Sequence, residues 1–265
     1  MKDLIKWWAT IKISWIKQTT YRLNFLLLVL APALVSYFIK YSLWSSIYDG
    51  DQNKLVAGYT LKTMLAYQSF GLIVALLGQG SNSMNLSEEI RRGKISTYLI
   101  YPFNFWEYHT ASFLAFQGIQ IFISFVTLVL LGFAGLVNII NFHALLIGII
   151  FTLYVSIFWF ALQYLIGLAA FWLEETWMIR VIMMIISSFL SGAYLPLEIF
   201  PTKLVAILEY TPFPYLSYYP IRLMMGEDLS IIKGISILSS WLVIILFLNH
   251  LTWKKGMRLY TAAGM

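Results

Sequence analysis

The chain has 265 residues, of which 60% are hydrophobic and 11% charged, with a net charge of +6 and no cysteine; its mean hydropathy is +0.77. Soluble domains carry about a quarter of their residues charged, so a water-soluble domain, a disordered chain and a disulfide scaffold are all excluded. The apolar surplus predicts an all-α integral membrane protein, in which basic residues report topology rather than nucleic-acid binding.

The first 22 residues predict an amphipathic helix. At 100° per residue, Leu4, Trp8, Ile11 and Trp15 share one face while Lys2, Lys6 and Lys17 lie opposite. Such a helix lies in the inner headgroup layer with its lysines near membrane lipid. It serves either as a plain anchor or as a brace for a cytosolic partner.

Charge-free runs then occupy 23–39, 63–87, 108–173, 181–197 and 234–253. Crossing about 30 Å of hydrocarbon takes about 20 residues, so four runs fit one crossing each. The run 108–173 would make a helix roughly 100 Å long and must fold back, with the bend expected at Asn138-Ile-Ile-Asn141 and a tight hairpin as the result. Six transmembrane helices are therefore expected, at about 23–40, 62–84, 110–137, 142–171, 177–196 and 231–250. With the N-terminus inside, twelve Lys and Arg fall on inner segments and six on outer ones, which places both termini in the cytoplasm.

Between the second and third crossings, residues 85–102 form a charged cytosolic segment. Asn85 is expected to cap a short helix with Glu88 three residues on. Glu88 and Arg92 stand at i,i+4 with the acid first, and Gly93 suits the C′ position that ends a helix. A solvated loop and a protein-docking element both fit these residues. On the other side, 197–228 is too rich in proline for one straight helix and too apolar for a free loop. Short helices broken at Pro201, Pro212, Pro214 and Pro220, dipping into the outer leaflet as a re-entrant hairpin, satisfy both facts.

Several chemistries are missing. There is no Gly-x-x-x-x-Gly-Lys-Ser/Thr loop, no His-Glu-x-x-His zinc spacing and no Gly-x-Ser-x-Gly elbow. The acid pairs Glu88/Glu89 and Glu174/Glu175 are chain neighbours, which on a helix point about 100° apart and make no dyad. No acid or base falls near mid-membrane, so the energy for any transport has to come from another chain. Two alternatives stay open: a non-transporting scaffold or sensor paired with an ATPase, and a membrane-embedded lipid-modifying enzyme, for which His109 beside Glu107 is the one polar cue.

Three segments resemble the ABC-2 type permeases of ABC transporters. Glu88-Glu89-Ile90-Arg91-Arg92-Gly93-Lys94-Ile95 with Leu99-Ile100-Tyr101-Pro102 is similar to the family's cytosolic acidic–Ile–Arg–x–Gly and Leu-x-x-Pro pattern. Ser191-Gly192-Ala193-Tyr194-Leu195-Pro196, then Phe200-Pro201 and Pro212-Phe213, resembles the hairpin after the fifth span. Positions 194 and 195 depart from the expected Leu or Val and Phe. The tail from Trp253 to Gly264 is similar to the end of a six-span subgroup of about this length.

The resemblance implies a single transmembrane domain over 1–265, acting as the permease of an exporter in a bacterial inner membrane. It implies as partners a dimer of ABC ATPase subunits and a second permease, either a related chain or a second copy. ATP and magnesium would belong to the ATPase, with no cofactor or metal in this chain and no catalysis by it. It makes Asn85, Glu88, Glu89, Arg91, Arg92 and Gly93 a coupling helix, and the N-terminal helix with Lys6, Trp8 and Trp15 an interface helix. It places Gln68, Gln79, Ser187, Ser188 and Ser191 along the path of an apolar or amphipathic cargo.

Overall fold

The computed structural model describes residues 2–20, 22–49, 51, 54–78, 84–100, 104–137 and 141–260. Twelve α-helices follow one another in these residues: α1 Lys2–Thr19, α2 Arg22–Tyr48, α3 Leu61–Gly78, α4 Met84–Arg91, α5 Ile95–Ile100, α6 Phe105–Phe133, α7 Phe142–Leu168, α8 Trp177–Leu190, α9 Thr202–Leu208, α10 Phe213–Leu216, α11 Tyr218–Met224 and α12 Ile231–Leu259. Turns of 3-10 helix extend α7 over Ala169–Phe171 and form Leu197–Ile199. The described residues contain no strand, only an isolated bridge between Val56 and Tyr59.

Among the described residues, four helices have the length and apolarity to cross a membrane: α3, α6, α7 with its 3-10 extension, and α12. At 29 residues, α6 and α12 reach about 43 Å and overhang a hydrocarbon core of about 30 Å. α2 is long enough at 27 residues but holds Pro32 and the charged Lys40. α8, with 14 residues, covers only about 21 Å.

Helix α3 is the hub, packing against α2, α6, α7 and α11, while α12 lies along α7. The hub core joins Trp44, Tyr48, Met64, Tyr67, Ile73 and Ile221, all almost fully buried. Burying a large apolar side chain contributes about 1.5–3 kcal/mol against water, but lipid is as apolar as leucine, so in the bilayer close packing and polar contacts set the arrangement. Tyr37 and Ser69 supply one such contact, a 2.8 Å hydrogen bond between α2 and α3.

The expected bounds shift where local chemistry outweighs hydropathy. α6 stops at Phe133 because Gly135 closes it: Leu136 N donates to Leu131 O and Gly135 N to Gly132 O, the paired bonds of a Schellman end. Of the expected bend, 138–140 lie outside the described residues, and Asn141 caps α7 by accepting from His143 N and Ala144 N. No tight hairpin results. α6 and α7 meet through bulky rings, Trp106 on Tyr164 and Phe113 on Phe160 with centroids 4.6 Å apart in both pairs, and both helices pack their backbones on α3 instead. α12 runs on to Leu259 rather than ending near 250.

The fifth expected span, 177–196, stops as a helix at Leu190. Gly192 sits at φ +79°, a conformation glycine adopts without strain. The next turn is held by its main chain. Ser191 O accepts from Tyr218 N at 2.8 Å, Gly192 O from Tyr67 Oη at 2.7 Å, Ala193 O from Lys40 Nζ at 2.8 Å and Tyr194 O from Gln68 Nε2 at 3.3 Å. Four consecutive carbonyls are captured by α2, α3 and α11. Beyond them the segment 197–228 breaks at two of its four expected prolines, Pro201 preceding α9 and Pro212 preceding α10, whereas Pro214 and Pro220 stand in the first turns of α10 and α11, where a helix tolerates proline.

Helix α1 packs on α6. Its buried seam passes through Ser14, whose hydroxyl shares a 3.0 Å hydrogen bond with Ser112. Trp15 lies over Gly118, where an added Cβ would come within 2.8 Å of Cζ3. Gly118→Val should therefore lift α1 from α6 at about 1–3 kcal/mol of overpacking. The expected outcome is protease cleavage near residues 14–20 in an otherwise inserted chain.

Candidate functional site

The helix α4 has two faces. Leu86 and Ile90, one turn apart, are 1% exposed and join Ile95, Phe105, Tyr164, Leu168 and Phe171 in a core where α6 begins and α7 and α12 end. Leu86 seats against Gly167, whose missing side chain makes the room: a Cβ there would lie 2.5 Å from Leu86 Cδ2. The far end of α4 is fixed by a Schellman pair, Lys94 N to Glu89 O at 2.9 Å and Gly93 N to Ile90 O at 3.1 Å. Gly93 takes φ +69°, as a C′ glycine does. Tyr260, just past α12, donates its hydroxyl to Gly93 O and accepts from Ser96 N at 3.2 Å. The turn after α4 is thus pinned to the last helix.

The start of α4 differs from expectation. The helix begins at Met84, so Asn85 occupies its second position and is not the cap. Position 83, where a cap would stand, lies outside the described residues.

The charged residues of α4 divide by direction. Glu88 and Arg92 pair at 2.6 Å with 45% and 64% of their side chains exposed. Arg91 reaches sideways to Glu175 Oε1 at 2.8 Å and Glu174 O at 2.6 Å, tying α4 to the segment between α7 and α8. Glu89 turns inward. Its Oε2 accepts from Tyr98 Oη at 3.0 Å and stands 3.3 Å from His109 Nε2, an ion-pair approach without the alignment of a hydrogen bond. Burial alone would push the Glu89 carboxyl up, yet His109 and the Tyr98 hydroxyl together hold it below the usual carboxylate range. Glu88 and Glu89 were expected to act alike as docking residues. The roughly 100° between chain neighbours gives only Glu88 to the surface.

In the interface helix, Lys6 accepts at its carbonyl from Thr10 Oγ1. Trp8 is 71% exposed, so it is not on the seam toward α6, unlike the ring of Trp15. Of the expected path residues, Gln68, Ser187 and Ser191 are almost fully buried within the chain. Gln68, through its side chain, and Ser191, through its carbonyl, belong to the carbonyl clasp. Ser188 is partly exposed and donates to Met184 O at 2.8 Å. Gln79 lies outside the described residues. The lipid-enzyme cue dissolves as well, because Glu107 accepts from Asn104 N at 3.0 Å at the start of α6 while His109 points to Glu89.

Sequence reasoning missed Tyr98, Tyr260 and Lys40, whose partners are remote in the chain. A lysine closing an apolar run was the available signal for Lys40, since a charge there needs a polar partner. Among the described residues no group of His, Asp and Glu could hold a metal ion.

Long apolar helices, with a short amphipathic helix clamped where α6 begins and α7 and α12 end, define an integral membrane protein. Residues 34–264 match the family described as ABC-2 family transporter protein, and the chain belongs to that family. It is accordingly the permease component of an ABC transporter, a membrane subunit of the kind that works with an ABC ATPase. The matched region starts within α2, so α1 precedes it. No curated protein matches the chain.

Proposed function

We propose that this chain is the permease half of an ATP-driven exporter, moving an apolar or amphipathic cargo out of a bacterial cell across its inner membrane. In this reading the chain crosses six times, through α2, α3, α6, α7, α8 with the turn behind it, and α12, and keeps both termini in the cytoplasm. A dimer of ABC ATPase subunits grips the exposed Glu88–Arg92 strip of α4, flanked by Arg91, while α1 braces the same partner and lies against inner-leaflet lipid. A second permease, related or identical, completes the path. ATP and magnesium stay with the ATPase; this chain adds no cofactor and no catalysis of its own.

The observation that carries the reading is the construction of α4. Two helical turns are seated on Gly167, closed at Gly93 and tied down by Tyr260 and Arg91. An exposed ion pair such as Glu88–Arg92 contributes under about 1 kcal/mol, so a rigid mount for it points to contact rather than stability. Movement of the gripped strip passes directly into the inner ends of α6, α7 and α12.

The absence of cysteine makes the test simple. Glu88→Cys should react with a membrane-impermeant maleimide in inside-out vesicles and not in intact cells, and co-expressed ATPase should protect it. Labelling from outside the cell would overturn both the topology and the docking role.

A further inference from the structure

A groove of about 480 Å³ runs between the last turns of α7 and α12, with Ile179 of α8 as its third wall. Its α12 side is one face of that helix, Leu248, Leu251, Thr252 and Lys255, spaced three and four apart. Two close contacts beside that face fix α12 to α7. Asn249 Nδ2 donates to Ala161 O at 3.0 Å, and Gly256 lies against the Phe171 ring so closely that no Cβ would fit. They hold the two long walls of the groove in place.

The groove is polar at one end only. Lys255 is exposed there, and the lining contains no Asp or Glu. Among the described residues no carboxylate pairs with Lys255, nor with the exposed Arg258 one turn further on. The acids between α7 and α8 are drawn toward α4, where Arg91 takes the Glu175 carboxylate and the Glu174 carbonyl. The lining also includes Thr252 and Trp172, whose hydroxyl and indole N–H have no partner among the described residues. The carbonyl of Ala169, which would otherwise attract a cation, already accepts from Trp172 N and Leu173 N, both at 3.0 Å. Free donors beside a positive charge suit an anionic oxygen.

The depth of the groove narrows the choice of occupant. The charge-free run 234–253 makes about 30 Å of helix, the thickness of the hydrocarbon core. Lys254 and Lys255 then stand at its edge, and Leu248 lies about 10 Å deeper along α12. Trp172 and Trp177, 49% and 63% exposed, mark the same boundary, where indole rings settle. The charged end is at headgroup level and the apolar end among acyl chains. A free anion would leave the apolar end empty, and a zwitterionic lipid would leave Lys255 without net countercharge.

We propose that this groove holds one anionic phospholipid, its phosphodiester seated at Lys255 and Thr252 with Arg258 nearby, and a chain lying along Leu251, Leu248 and Leu165. The wall it lies on also carries α4, since Leu86 is seated at Gly167 and Phe171 belongs to the core beneath that helix. The bound lipid braces the mount of the coupling helix. The site goes beyond the exporter reading and takes from it only the topology, which makes the supplying leaflet the inner one.

The test uses the full chain in detergent, titrated with phosphatidylglycerol or phosphatidylcholine of matched chains, with bound lipid counted by native mass spectrometry. Phosphatidylglycerol should bind about tenfold more tightly. Lys255→Gln should erase most of that preference. Lys254→Gln removes the same charge 100° round the helix and should change the preference less than about twofold. Ala169→Phe, which fills the apolar part, should weaken both lipids alike, and inorganic phosphate should displace neither. Should the phenylalanine variant fail to fold, the contrast between the two lysines still decides the matter. Equal loss from the two lysine variants, equal affinity for the two lipids, or displacement by phosphate would overturn the proposal. These outcomes would mean diffuse surface charge, a crevice that any lipid fills, and a free-anion site, respectively. Binding as expected together with labelling of Glu88→Cys from outside the cell would uphold the site in the opposite leaflet and sink the exporter topology; no lipid preference with labelling from inside only would do the reverse.

Discussion

Arg222→Met should lower the thermal stability of the detergent-solubilised chain by about 2–3 kcal/mol, the largest effect expected of any single charge removal here. Arg222 on α11 donates through one arm to the Tyr59 hydroxyl and Glu198, and pairs through the other with Glu227. Its guanidinium also lies 5.4 Å from the Tyr218 ring centroid and 5.8 Å from that of Tyr59, and Tyr218 donates to the same Glu198 at 2.7 Å. Removing one partner of a fully buried ion pair costs about 3–5 kcal/mol, mainly through the charge left behind. With side-chain exposures of 20% for Arg222, 30% for Glu198 and 34% for Glu227, water recovers part of that cost. The loop before α3, the Pro196–Phe200 turn and α11 should loosen together. Protease cleavage near residues 54–60 would report it, and an unchanged melting temperature would show that water already shares the network.

The second large effect separates two neighbouring glutamates. Glu88→Ala with Arg92→Ala should leave the melting temperature within about 0.5 kcal/mol of the parent, since an exposed i,i+4 pair contributes no more than that. Transport by the complex should nevertheless fall at least about tenfold, with ATP hydrolysis persisting. Glu89→Ala should do the opposite first: it takes from Tyr98 its acceptor and from His109 the neighbouring carboxylate, and destabilises the core beneath α4 before any question of coupling arises. Acid titration gives a second readout for Glu89. The Glu89 carboxyl is held below its ordinary value of 4.5. Its stabilising contribution is therefore complete above that value and is lost as pH falls through the lower folded one. Glu89→Gln should flatten the acid limb of the stability profile. Equal behaviour of the two glutamates would count against the division of α4 into an inward and an outward face.

Much of this was legible in the residues because it depended on near neighbours. Composition alone required an apolar helical chain. The i,i+4 spacing paired Glu88 with Arg92, Gly93 marked the end of a helix, and Pro201 and Pro212 marked two of the breaks in 197–228. What stayed hidden depended on contacts between residues far apart in the chain. Gln68 reads as a polar residue within a span, but its amide is spent on a carbonyl at position 194. Tyr260 belongs to a segment whose sequence gives no hint that it reaches Gly93. The α6–α7 pair was misjudged because hydropathy says nothing of the rings through which the two helices meet. Asn249 looks like any polar residue in an apolar stretch until Ala161 takes its nitrogen.

The grip on residues 191–194 is made on peptide oxygens. Apart from Gly192, whose backbone angle disfavours other residues, and the buried Ser191, this corner can change its side chains without letting go of the helices that hold it. The unusual tyrosine at 194 therefore carries no structural penalty, and a different residue at 193 would be held equally well. The demand for fixed chemistry is displaced onto the donors: a change at Lys40, Tyr67 or Gln68 should open a corner that lies more than a hundred positions away in the chain.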